Sequence, residues 1–274
     1  MNSTKEKQHH LDTLLKEMGS AILAFSGGVD STYLIHRAHN VLKDQMMAVI
    51  VRGSIFPKVE SSEALDFVRS QKIQHKILTT DILTLKDFIK NPEDRCFICK
   101  MHLFEAISST AKKLRFNQII EGSNADDTND YRPGMKALRI LNIRSPLLEV
   151  GLTKEEIRVL SKQANLPTWD KPSMACLATR IPYKEEITAA KLTRIEYAEK
   201  LLASKGFGQY RVRSHGDLAR IEVLPCDVEK IAKADMREYL TSKIKALGFT
   251  YVCLDLNGFR SGAMNETLKK QTTE

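Results

Sequence analysis

The stretch ILAFSGGVDS occupies residues 22–31. Its apolar part belongs to a strand pattern over Ala21–Phe25, and a helical pattern follows over Thr32–Val41. Between them, Gly27 and Gly28 allow the backbone to come close to an anion, and the positive end of the helix faces the same place. The stretch therefore predicts a strand–turn–helix unit that holds a phosphate or pyrophosphate group.

This turn differs from two familiar phosphate-binding motifs. It has neither the Gly-Lys-Ser/Thr of a P-loop kinase nor the G-x-G-x-x-G of a dinucleotide fold. Ser26 and Ser31 add hydroxyl donors, and Asp30 is placed where a carboxylate could hold the Mg²⁺ that accompanies ATP. Asp30 could equally cap the helix N-terminus, and the simplest alternative is a polar turn that binds nothing.

The composition is that of an ordinary globular protein, with 274 residues, 42% hydrophobic and 28% charged. No apolar run approaches the ~20 residues of a membrane-spanning helix, and the polar residues 1–10 contain no signal-peptide core. We therefore expect a cytoplasmic protein without a membrane segment. The 42 basic and 34 acidic residues give a net charge of +8. This charge suits anionic substrates, but its even spread gives little reason to expect nucleic acid as a partner.

Strand and helix patterns alternate through the first part of the chain. The predicted strands are Ala21–Phe25, Met47–Arg52, Lys76–Thr80 and Gln118–Glu121, and the predicted helices are Thr32–Val41, Ser61–Ser70 and Phe97–Leu114. This alternation predicts an α/β fold in which a parallel sheet has helices on both faces. Ligands of such sheets bind at the carboxyl ends of the strands, so Ser26, Gly53 and Gly122 point to one nucleotide site.

A second, smaller α+β domain is predicted from residue 188. Its elements are a helix over Ala189–Lys205, strands over Gln209–Ser214 and Ala219–Val223 joined at residues 215–217, a mostly helical Val228–Leu247 and a strand over Tyr251–Leu254. We predict an ATP-binding domain over residues 1–168 and an irregular, cysteine-bearing segment over 169–187. The small domain would cover residues 188–265, followed by a polar tail over 266–274.

A second polar cluster follows the strand that ends at Glu121. Residues 122–127 read GSNADD, and residues 130–134 read DYRPG. Acids, amides and an arginine after a strand suit a magnesium-bound pyrophosphate, although a solvated Asx-rich loop has the same composition. Because the turn at residues 26–31 also predicts a phosphate site, we adopt the functional interpretation of this second cluster. Lys100, on a predicted helix, suits neutralisation of the polyphosphate.

The five cysteines stand in a chain without a secretory signal, so disulfides are not expected. Cys96 and Cys99 form a C-x-x-C at a helix start, which is compatible with zinc, a redox pair, a cluster or coincidence. No second C-x-x-C or Cys/His pair follows, which argues against a closed zinc site of four ligands. Together with Cys176, three thiolates could bind a [4Fe–4S] cluster and leave one iron open. Cys226 and Cys253 are expected to be packing residues.

Four arginines fall at the ends of segments, where a guanidinium group can clamp a phosphate or a carboxylate. These residues are Arg180, Arg211, Arg213 and Arg260. Arg211 and Arg213 alternate along one predicted strand and would share a face. Taken singly, each of the four would more often be an ordinary surface residue.

The turn at residues 26–31 resembles the pyrophosphatase loop (PP-loop) of the ATP pyrophosphatases, and nearly the whole chain resembles the LarE family of ATP-dependent sulfur transferases. The resemblance rests on this turn, on both clusters after Glu121 and on Cys176–Arg180. In the small domain it rests on RVR at 211–213, ARIE at 219–222 and LDLNGFRSG at 254–262. These later blocks are more specific than the phosphate loop, which many ATP pyrophosphatases share.

The resemblance implies a task in making the nickel-pincer nucleotide cofactor. ATP would adenylylate a carboxylate of pyridinium-3,5-biscarboxylic acid mononucleotide and release pyrophosphate. A sulfur nucleophile would then displace AMP and leave a thiocarboxylate. The implied cofactors are ATP, Mg²⁺ and a [4Fe–4S] cluster. The implied partners are the nucleotide-like carboxylate substrate, a sulfide donor and further copies of the chain in a homo-oligomer.

The sulfur source divides the family. Members with a single cysteine at the position of Cys176 give up its sulfur once and are left with dehydroalanine. This chain also has Cys96 and Cys99, and it is similar to members whose three cysteines hold a [4Fe–4S] cluster. An extra sulfide on the open iron would then be transferred repeatedly. We expect this version, and a sacrificial Cys176 is the alternative.

The resemblance also implies roles for individual residues. The implied ATP-binding residues are Ala24, Ser26, Gly27, Gly28, Asp30, Ser31, Gly53, Gly122 and Asp127. The implied catalytic residues are Cys176, Asp30, Lys100 and Arg180, and the implied substrate-binding residues are Arg180, Arg211, Arg213 and Arg260. Glu199 and Glu222 match acids that can bind a divalent cation, but the third acid of that set does not align.

Three other classes of protein share part of this chemistry. A tRNA thiolase would bring a nucleic-acid domain or zinc-finger modules, and neither is visible in the sequence. An ammonia-using ligase of the NAD- or GMP-synthetase kind releases the same pyrophosphate but needs no cysteine thiolates. A non-catalytic AMP-binding module would release no pyrophosphate from ATP and an acid.

Overall fold

The computed structural model describes residues 3–129, 133–172, 175–260 and 262–265. Its helices are α1 (Thr4–Met18), α2 (Val29–Leu42), α3 (Lys58–Ser70), α4 (Lys86–Ile89), α5 (Arg95–Leu114), α6 (Gly134–Ile140), α7 (Pro146–Glu149), α8 (Lys154–Gln163), α9 (Ala189–Ser204), α10 (Val228–Ala232) and α11 (Ala234–Lys245). Its strands are β1 (Ala21–Ala24), β2 (Met46–Arg52), β3 (His75–Thr79), β4 (Gln118–Ile120), β5 (Tyr210–His215), β6 (Leu218–Val223) and β7 (Tyr251–Leu254). None of these helices combines the length with the apolar character needed to cross a membrane.

The described residues form two units. One comprises Met1–Ile82 and Asp94–Met174, and the other comprises Leu83–Glu93 and Ala175–Glu274. The boundaries predicted from the sequence differ, at residues 168 and 187, and they stay predictions. The short segment that precedes α5 belongs with the second unit, a position that no local sequence pattern indicates.

The first unit is built on a parallel sheet with the strand order β3-β2-β1-β4. The central strand β1 pairs with β2 at Ala24↔Val49 and with β4 at Leu23↔Ile120. The sheet confirms the predicted α/β class. Since the chain leaves β1 towards β2 and later returns to the other side of β1 as β4, the strand order reverses between β1 and β4. Such a reversal point is where open parallel sheets bind ligands.

Helices cover both faces of this sheet, as the alternating pattern predicts. Leu23 faces a core that is filled by side chains of α1, α2, α3 and α8. Its neighbour Ile22 faces a second core, which contains Phe104 and Ile107 of α5 and Leu138 of α6. Because successive residues of a strand point to opposite faces, one short apolar run holds both layers of helices.

Two helices that we did not predict begin with capping boxes. Ser3 and Glu6 exchange hydrogen bonds at the start of α1, and Thr153 and Glu156 do the same at the start of α8. A reciprocal pair of this kind satisfies two N–H groups that the first turn of a helix leaves open. Lys7 of α1 also pairs with Glu156 at 2.7 Å, so the two helix starts are joined.

The second unit contains a three-stranded sheet with the order β5-β6-β7. β5 and β6 form the predicted antiparallel hairpin, which turns at Gly216 with a φ of +55°, and β7 lies parallel to β6. The helical segment predicted over Val228–Leu247 is divided into α10 and α11 because Lys233 has an extended backbone, with a ψ of 143°. Buried side chains of α9, α10, α11 and the sheet pack into one hydrophobic cluster.

The segment Leu83–Glu93 is held in the second unit by Asn91, whose side chain is fully buried. Its amide nitrogen donates to the carbonyl oxygens of Ile181, Pro182 and Glu185 at 3.3, 2.6 and 3.1 Å. These three carbonyl groups lie outside helices and strands. The Asn91 amide supplies the hydrogen bonds that buried backbone groups require. Asn91 thus ties this segment to the chain that follows Arg180.

We predict that the second unit loses stability in mild acid. Burial, followed by the positive charge of Arg220, lowers the pKa of His215 below its ordinary value. As pH falls through about 6.5, the unfolded chain therefore binds a proton that the folded chain resists, so acidification from about pH 7.5 to about pH 5.5 favours unfolding. Thermal unfolding curves recorded across this range should show the shift, and His215→Gln should reduce it.

The same replacement at the exposed His10 is the matched control for this pH dependence. His10→Gln should leave the slope of unfolding temperature against pH unchanged. A His215→Gln protein with the full wild-type slope would show that another group controls the response.

Candidate functional site

The turn between β1 and α2 lies at the carboxyl edge of the first sheet. Gly27 has a φ of +74°, and a Cβ added there would lie 3.0 Å from the Cβ of Ala64, so the position requires glycine. Gly28 is the N-cap of α2, and no side chain caps the helix at that point. The first N–H groups of this 14-residue helix are thus available to an anionic ligand.

Two serine hydroxyls shape this turn. Oγ of Ser26 lies 3.0 Å from Oγ of Ser31, and the backbone N–H of Gly28 donates to Oγ of Ser26 at 3.4 Å. Ser31 is buried and donates to the carbonyl oxygen of Gly28 at 3.2 Å, whereas Ser26 is exposed. Ser31 therefore stabilises the turn from within, and Ser26 is the hydroxyl that a ligand can reach. Ala24, which ends β1, is half-buried below the turn.

The loop after β4 packs directly against this turn. A Cβ on Gly122 would lie 3.0 Å from the backbone nitrogen of Ser31 and 3.4 Å from the carbonyl carbon of Asp30. Gly53, after β2, is equally confined, because a Cβ there would overlap the carbonyl oxygen of Thr80. Gly27, Gly53 and Gly122, which follow β1, β2 and β4, are therefore brought to one edge, and at each of these three positions the neighbouring atoms leave no room for a side chain.

Asp30 faces a cation that the sequence analysis did not identify. Nζ of Lys154 lies 2.6 Å from Oδ2 of Asp30, and the backbone N–H of Lys154 donates to Asp126 at 2.8 Å. The other oxygen, Oδ1 of Asp30, is buried and has no hydrogen-bond partner within the described ranges. Asp30 thus has one carboxylate oxygen that is paired with Lys154 and a second oxygen that could bind a metal ion or accept a hydrogen bond.

A second lysine also contacts the turn. Nζ of Lys171 donates to the carbonyl oxygen of Gly27 at 3.0 Å and to Glu63 at 2.8 Å. Arg158 holds the backbone of this lysine, since its Nη2 donates to the carbonyl oxygen of Lys171 at 2.9 Å. The two lysines are 124 and 144 residues away from the turn residues that they contact, so folding alone brings this positive charge to the turn.

The polar loop after β4 is organised by its own side chains. The buried carboxylate of Asp127 accepts a hydrogen bond from the N–H of Asn124 at 3.1 Å, and Oδ1 of Asn124 accepts one from the N–H of Asp126 at 2.9 Å. These are the Asx-type contacts that the alternative interpretation of this segment expects. The sequence prediction extends to Asp130, Tyr131 and Arg132, which lie outside the described residues.

Lys100 lies at the end of β4, beside Glu121. Its Nζ is 3.8 Å from Oε2 of Glu121, which also accepts the hydroxyl of Ser123 at 2.9 Å. A Cβ on Gly134 would lie 2.8 Å from Cδ of Lys100, so the start of α6 confines the lysine stem. The amine is therefore held at the carboxyl edge of the sheet, the edge at which the sequence places polyphosphate.

The three cysteines of the expected cluster lie in different units. Cys96 and Cys99 stand one turn apart near the start of α5, so both face the same side of the helix. Cys176 belongs to the second unit and immediately precedes a 3₁₀ turn over Leu177–Arg180. All three side chains are half-buried and outside any disulfide. Across the described residues, no three His, Cys, Asp or Glu side chains are grouped as metal ligands.

The two cysteines that were expected to be packing residues differ from each other. Cys226 is exposed, so this expectation is wrong for Cys226. Cys253, in β7, is half-buried, and burial raises the pKa of its thiol. A protonated thiol is a poor nucleophile, which fits a structural role for Cys253.

The second unit buries charged side chains in pairs. Nε and Nη2 of Arg180 donate to the two oxygens of Glu199 at 2.9 and 3.0 Å. Arg213 donates in the same way to Glu222, at 3.0 and 2.7 Å. Both acids are therefore engaged by forked guanidinium groups, and all four side chains are buried. This arrangement uses the oxygens that the expected divalent cation would need.

The remaining two arginines are placed differently. Arg211 is buried, and its guanidinium carbon lies 5.1 Å from the ring centre of Phe259. Burial, followed by repulsion from Arg180, lowers the pKa of Arg211 to about 10. Arg260 is partly exposed, with Nη1 3.7 Å from Asp255. Nη1 of Arg211 also donates to the carbonyl oxygen of Tyr210 at 2.6 Å.

No model of a known protein family matches the chain. The chain is 38% identical to an uncharacterised protein of Synechocystis sp., over 97% of its own length and 99% of the relative. It is 32% identical to the pyridinium-3,5-bisthiocarboxylic acid mononucleotide synthase of Lactiplantibacillus plantarum, over 98% of each chain. It is also 26% identical to one subunit of the glutamine-hydrolysing GMP synthase of Methanocaldococcus jannaschii, over 54% of this chain and 50% of the relative. The first two similarities span both units.

We expect Lys154→Met to weaken ATP binding about tenfold to a hundredfold, because the variant keeps the stem of the side chain but loses the charge beside the turn. Isothermal titration calorimetry with ATP and Mg²⁺ measures the change in Kd. Lys113→Met, which removes an exposed lysine of α5, is the matched control and should bind ATP as the wild type does. An unchanged Kd in a folded Lys154→Met protein would contradict the assignment.

We expect Gly122→Ala to lower the stability of the first unit by ~1–3 kcal/mol and to weaken ATP binding, since the added methyl group forces two backbones apart. Gly208→Ala is the control, because no atom lies within 4 Å of a Cβ at Gly208. Differential scanning calorimetry measures stability, and the same titration measures binding. Equal effects of the two substitutions would rule out a close contact between the loops.

Proposed function

The chain belongs to the LarE family of ATP-dependent sulfur transferases, and from this premise we propose that it converts the carboxylates of pyridinium-3,5-biscarboxylic acid mononucleotide to thiocarboxylates. The named relative makes the bisthiocarboxylic acid mononucleotide. The observation that carries the proposal is the contact between the turn after β1 and the loop after β4, with Lys154 beside it. This contact combines helix N–H groups that no described side chain caps, hydroxyl groups and positive charge at one sheet edge.

In the first step, a carboxylate oxygen of the substrate attacks the α-phosphorus of ATP. The bond from this phosphorus to the bridging oxygen breaks, and pyrophosphate leaves with the electron pair. The N–H groups at the start of α2 and the hydroxyl of Ser26 bind the phosphate oxygens. Lys154 and Lys171 neutralise the charge that develops on the leaving pyrophosphate, and Lys100 acts from the end of β4.

Mg²⁺ fits this site because Oδ1 of Asp30 is a buried carboxylate oxygen without a hydrogen-bond partner among the described residues. Carboxylate and phosphate oxygens are the ligands that Mg²⁺ prefers. We assign Asp30 as the protein ligand, with Lys154 holding its other oxygen in place. When bound, the ion supplies charge stabilisation for the departing pyrophosphate.

In the second step, a sulfide attacks the carbonyl carbon of the mixed anhydride. The bond from this carbon to the AMP oxygen breaks, AMP leaves, and a thiocarboxylate remains. Arg211 and Arg260 bind the anionic groups of the nucleotide substrate, since one is a buried cation beside other arginines and the other is partly exposed. Their guanidinium groups orient the substrate and take no part in bond breaking.

Cys96, Cys99 and Cys176 would hold the [4Fe–4S] cluster. The donor set fits this group, because all three are thiols, two of them share a helix face, and none is consumed in a disulfide. When bound, the cluster would supply an open iron position for an extra sulfide from a donor, so that the protein could act repeatedly. The protein itself contributes the three thiolates, and the activated acid comes from the substrate and ATP.

The test is anaerobic incubation of the protein with ATP, Mg²⁺, the biscarboxylate nucleotide and sulfide. We expect one pyrophosphate and one AMP for each thiocarboxylate, quantified by coupled assay and mass spectrometry. Iron analysis of the anaerobic protein should give about four irons per chain. Release of ADP, or of no pyrophosphate, would refute the adenylylation step.

Replacement of Cys96, Cys99 and Cys176 by alanine separates the two steps. The triple variant should still release pyrophosphate but form no thiocarboxylate, because adenylylation needs no thiolate. Cys226→Ala, at an exposed cysteine, is the control and should retain both products. If the triple variant keeps full activity and ammonia replaces sulfide as the nucleophile, the protein is an amide-forming ligase instead.

A further inference from the structure

The backbone of residues 175–180, here called the Cys176 turn, is closed by several hydrogen bonds on one carbonyl group. The carbonyl oxygen of Cys176 accepts from the N–H of Thr179 at 3.0 Å, from Oγ1 of Thr179 at 2.8 Å and from Nη1 of Arg180 at 3.1 Å. Nη1 of Arg180 also donates to the carbonyl oxygen of Ala175 at 2.6 Å. The backbone of Cys176 is thus restrained while its side chain stays half-exposed.

Arg180 joins this turn to two other elements of the second unit. Its side chain is fully buried, and its Nε and Nη2 bind Glu199 of α9. Oε1 of Glu199 also accepts the backbone N–H of Val212, in β5, at 3.0 Å. Each nitrogen of the guanidinium group is therefore engaged within the unit, so Arg180 is not placed to bind substrate directly.

Arg213 approaches the same turn from β5. Its Nε and Nη2 bind Glu222, which is fully buried on β6. Its Nη1 donates to the carbonyl oxygen of Thr179 at 3.0 Å. Arg180 and Arg213 thus share one arrangement, in which two nitrogens bind a buried acid and the third binds a backbone carbonyl of the Cys176 turn.

Buried ion pairs are costly, and a unit of this size could form a core without them. Arg220, on the same strand as Glu222, shows that the acid can bind an arginine without involving the turn. Its Nη2 lies 3.0 Å from Oε1 of Glu222, and its Nε lies 3.5 Å from Asp255. The ion pair with an acid does not by itself require a contact with the Cys176 turn. The hydrogen bonds from Nη1 of Arg180 and of Arg213 to this turn are therefore a separate feature.

We propose that the pairs Arg180–Glu199 and Arg213–Glu222 are positioning groups that hold the Cys176 turn in one backbone conformation and so present the Cys176 thiol in one orientation. The importance of a fixed thiol orientation for sulfur transfer rests on the proposed function, in which Cys176 is one of the thiolates that serve the reaction. The four residues act through the turn and do not touch the reacting atoms. Glu199 and Glu222 then serve as anchors of arginines.

The test compares Arg213→Lys with Arg220→Lys in the full-length protein. Lysine keeps the charge but cannot bind Glu222 through two nitrogens and Thr179 through a third. In Arg213→Lys, we expect amide hydrogen exchange in the peptide that contains the Cys176 turn to be about tenfold faster, because a charged donor to the turn is lost. The rate at which iodoacetamide alkylates Cys176 should change as well, whereas Arg220→Lys should keep both wild-type rates.

Thr179→Val is the second variant, because it removes the hydroxyl that donates to the carbonyl oxygen of Cys176 and accepts from Nη1 of Arg180. Arg180 keeps its bonds to Glu199 and to the carbonyl oxygens of Ala175 and Cys176. Thr179→Val should also speed exchange in the turn, and circular dichroism should show a folded protein. In the sulfur-transfer assay, Arg213→Lys and Thr179→Val should lower kcat, while the Kd for ATP and the pyrophosphate formed in a single turnover without sulfide stay at wild-type values.

Wild-type exchange and alkylation rates in a folded Arg213→Lys protein would overturn the proposal, as would equal effects of Arg213→Lys and Arg220→Lys. The exchange and alkylation rates do not depend on the reaction. If the wild type makes no thiocarboxylate, the proposed function fails, and these two measurements still decide whether the arginine pairs hold the turn.

Discussion

The backbone of Gly122 packs against the backbones of Asp30 and Ser31, and the site in the first unit depends on this contact. It brings the loop after β4 to the start of α2 at the point where the strand order reverses. The same loop carries Asp126, which accepts the N–H of Lys154 and so places this lysine at Asp30. One close approach between backbones therefore brings the turn that we propose to bind phosphate together with Lys154.

The second unit uses charge in a different way. Its acids and arginines are buried in matched pairs, and the spare nitrogens of two arginines bind the backbone beside Cys176. Arg211 is the exception, since burial beside other arginines lowers its pKa. Nη1 of Arg211 donates to the carbonyl oxygen of Tyr210 at 2.6 Å. Arg211 therefore contacts its own strand, whereas Arg180 and Arg213 hold the backbone beside Cys176.

Much of the fold is predictable because its signals are local. The apolar runs around Ile22 and Val49 and the helical spacing before and after them predict the parallel sheet with helices on both faces. Helices α1 and α8 were missed although their capping boxes, at Ser3 and Thr153, are readable in the sequence. The division at Lys233 depends on one residue's backbone conformation, which helical periodicity does not reveal.

The sequence by itself determined the strand–turn–helix unit at residues 22–31 and the glycines that this turn and its neighbouring strands require. It also determined the presence of three cysteines outside the usual zinc spacing. Only the tertiary structure decided that Lys154 and Lys171 neutralise the turn, because their contacts join residues more than a hundred positions apart. It also decided that Arg180 and Arg213 bind Glu199 and Glu222. An arginine looks the same in the sequence whether its guanidinium group binds a substrate or a buried acid. Which of the two it binds depends on the side chains that the fold places within hydrogen-bonding distance.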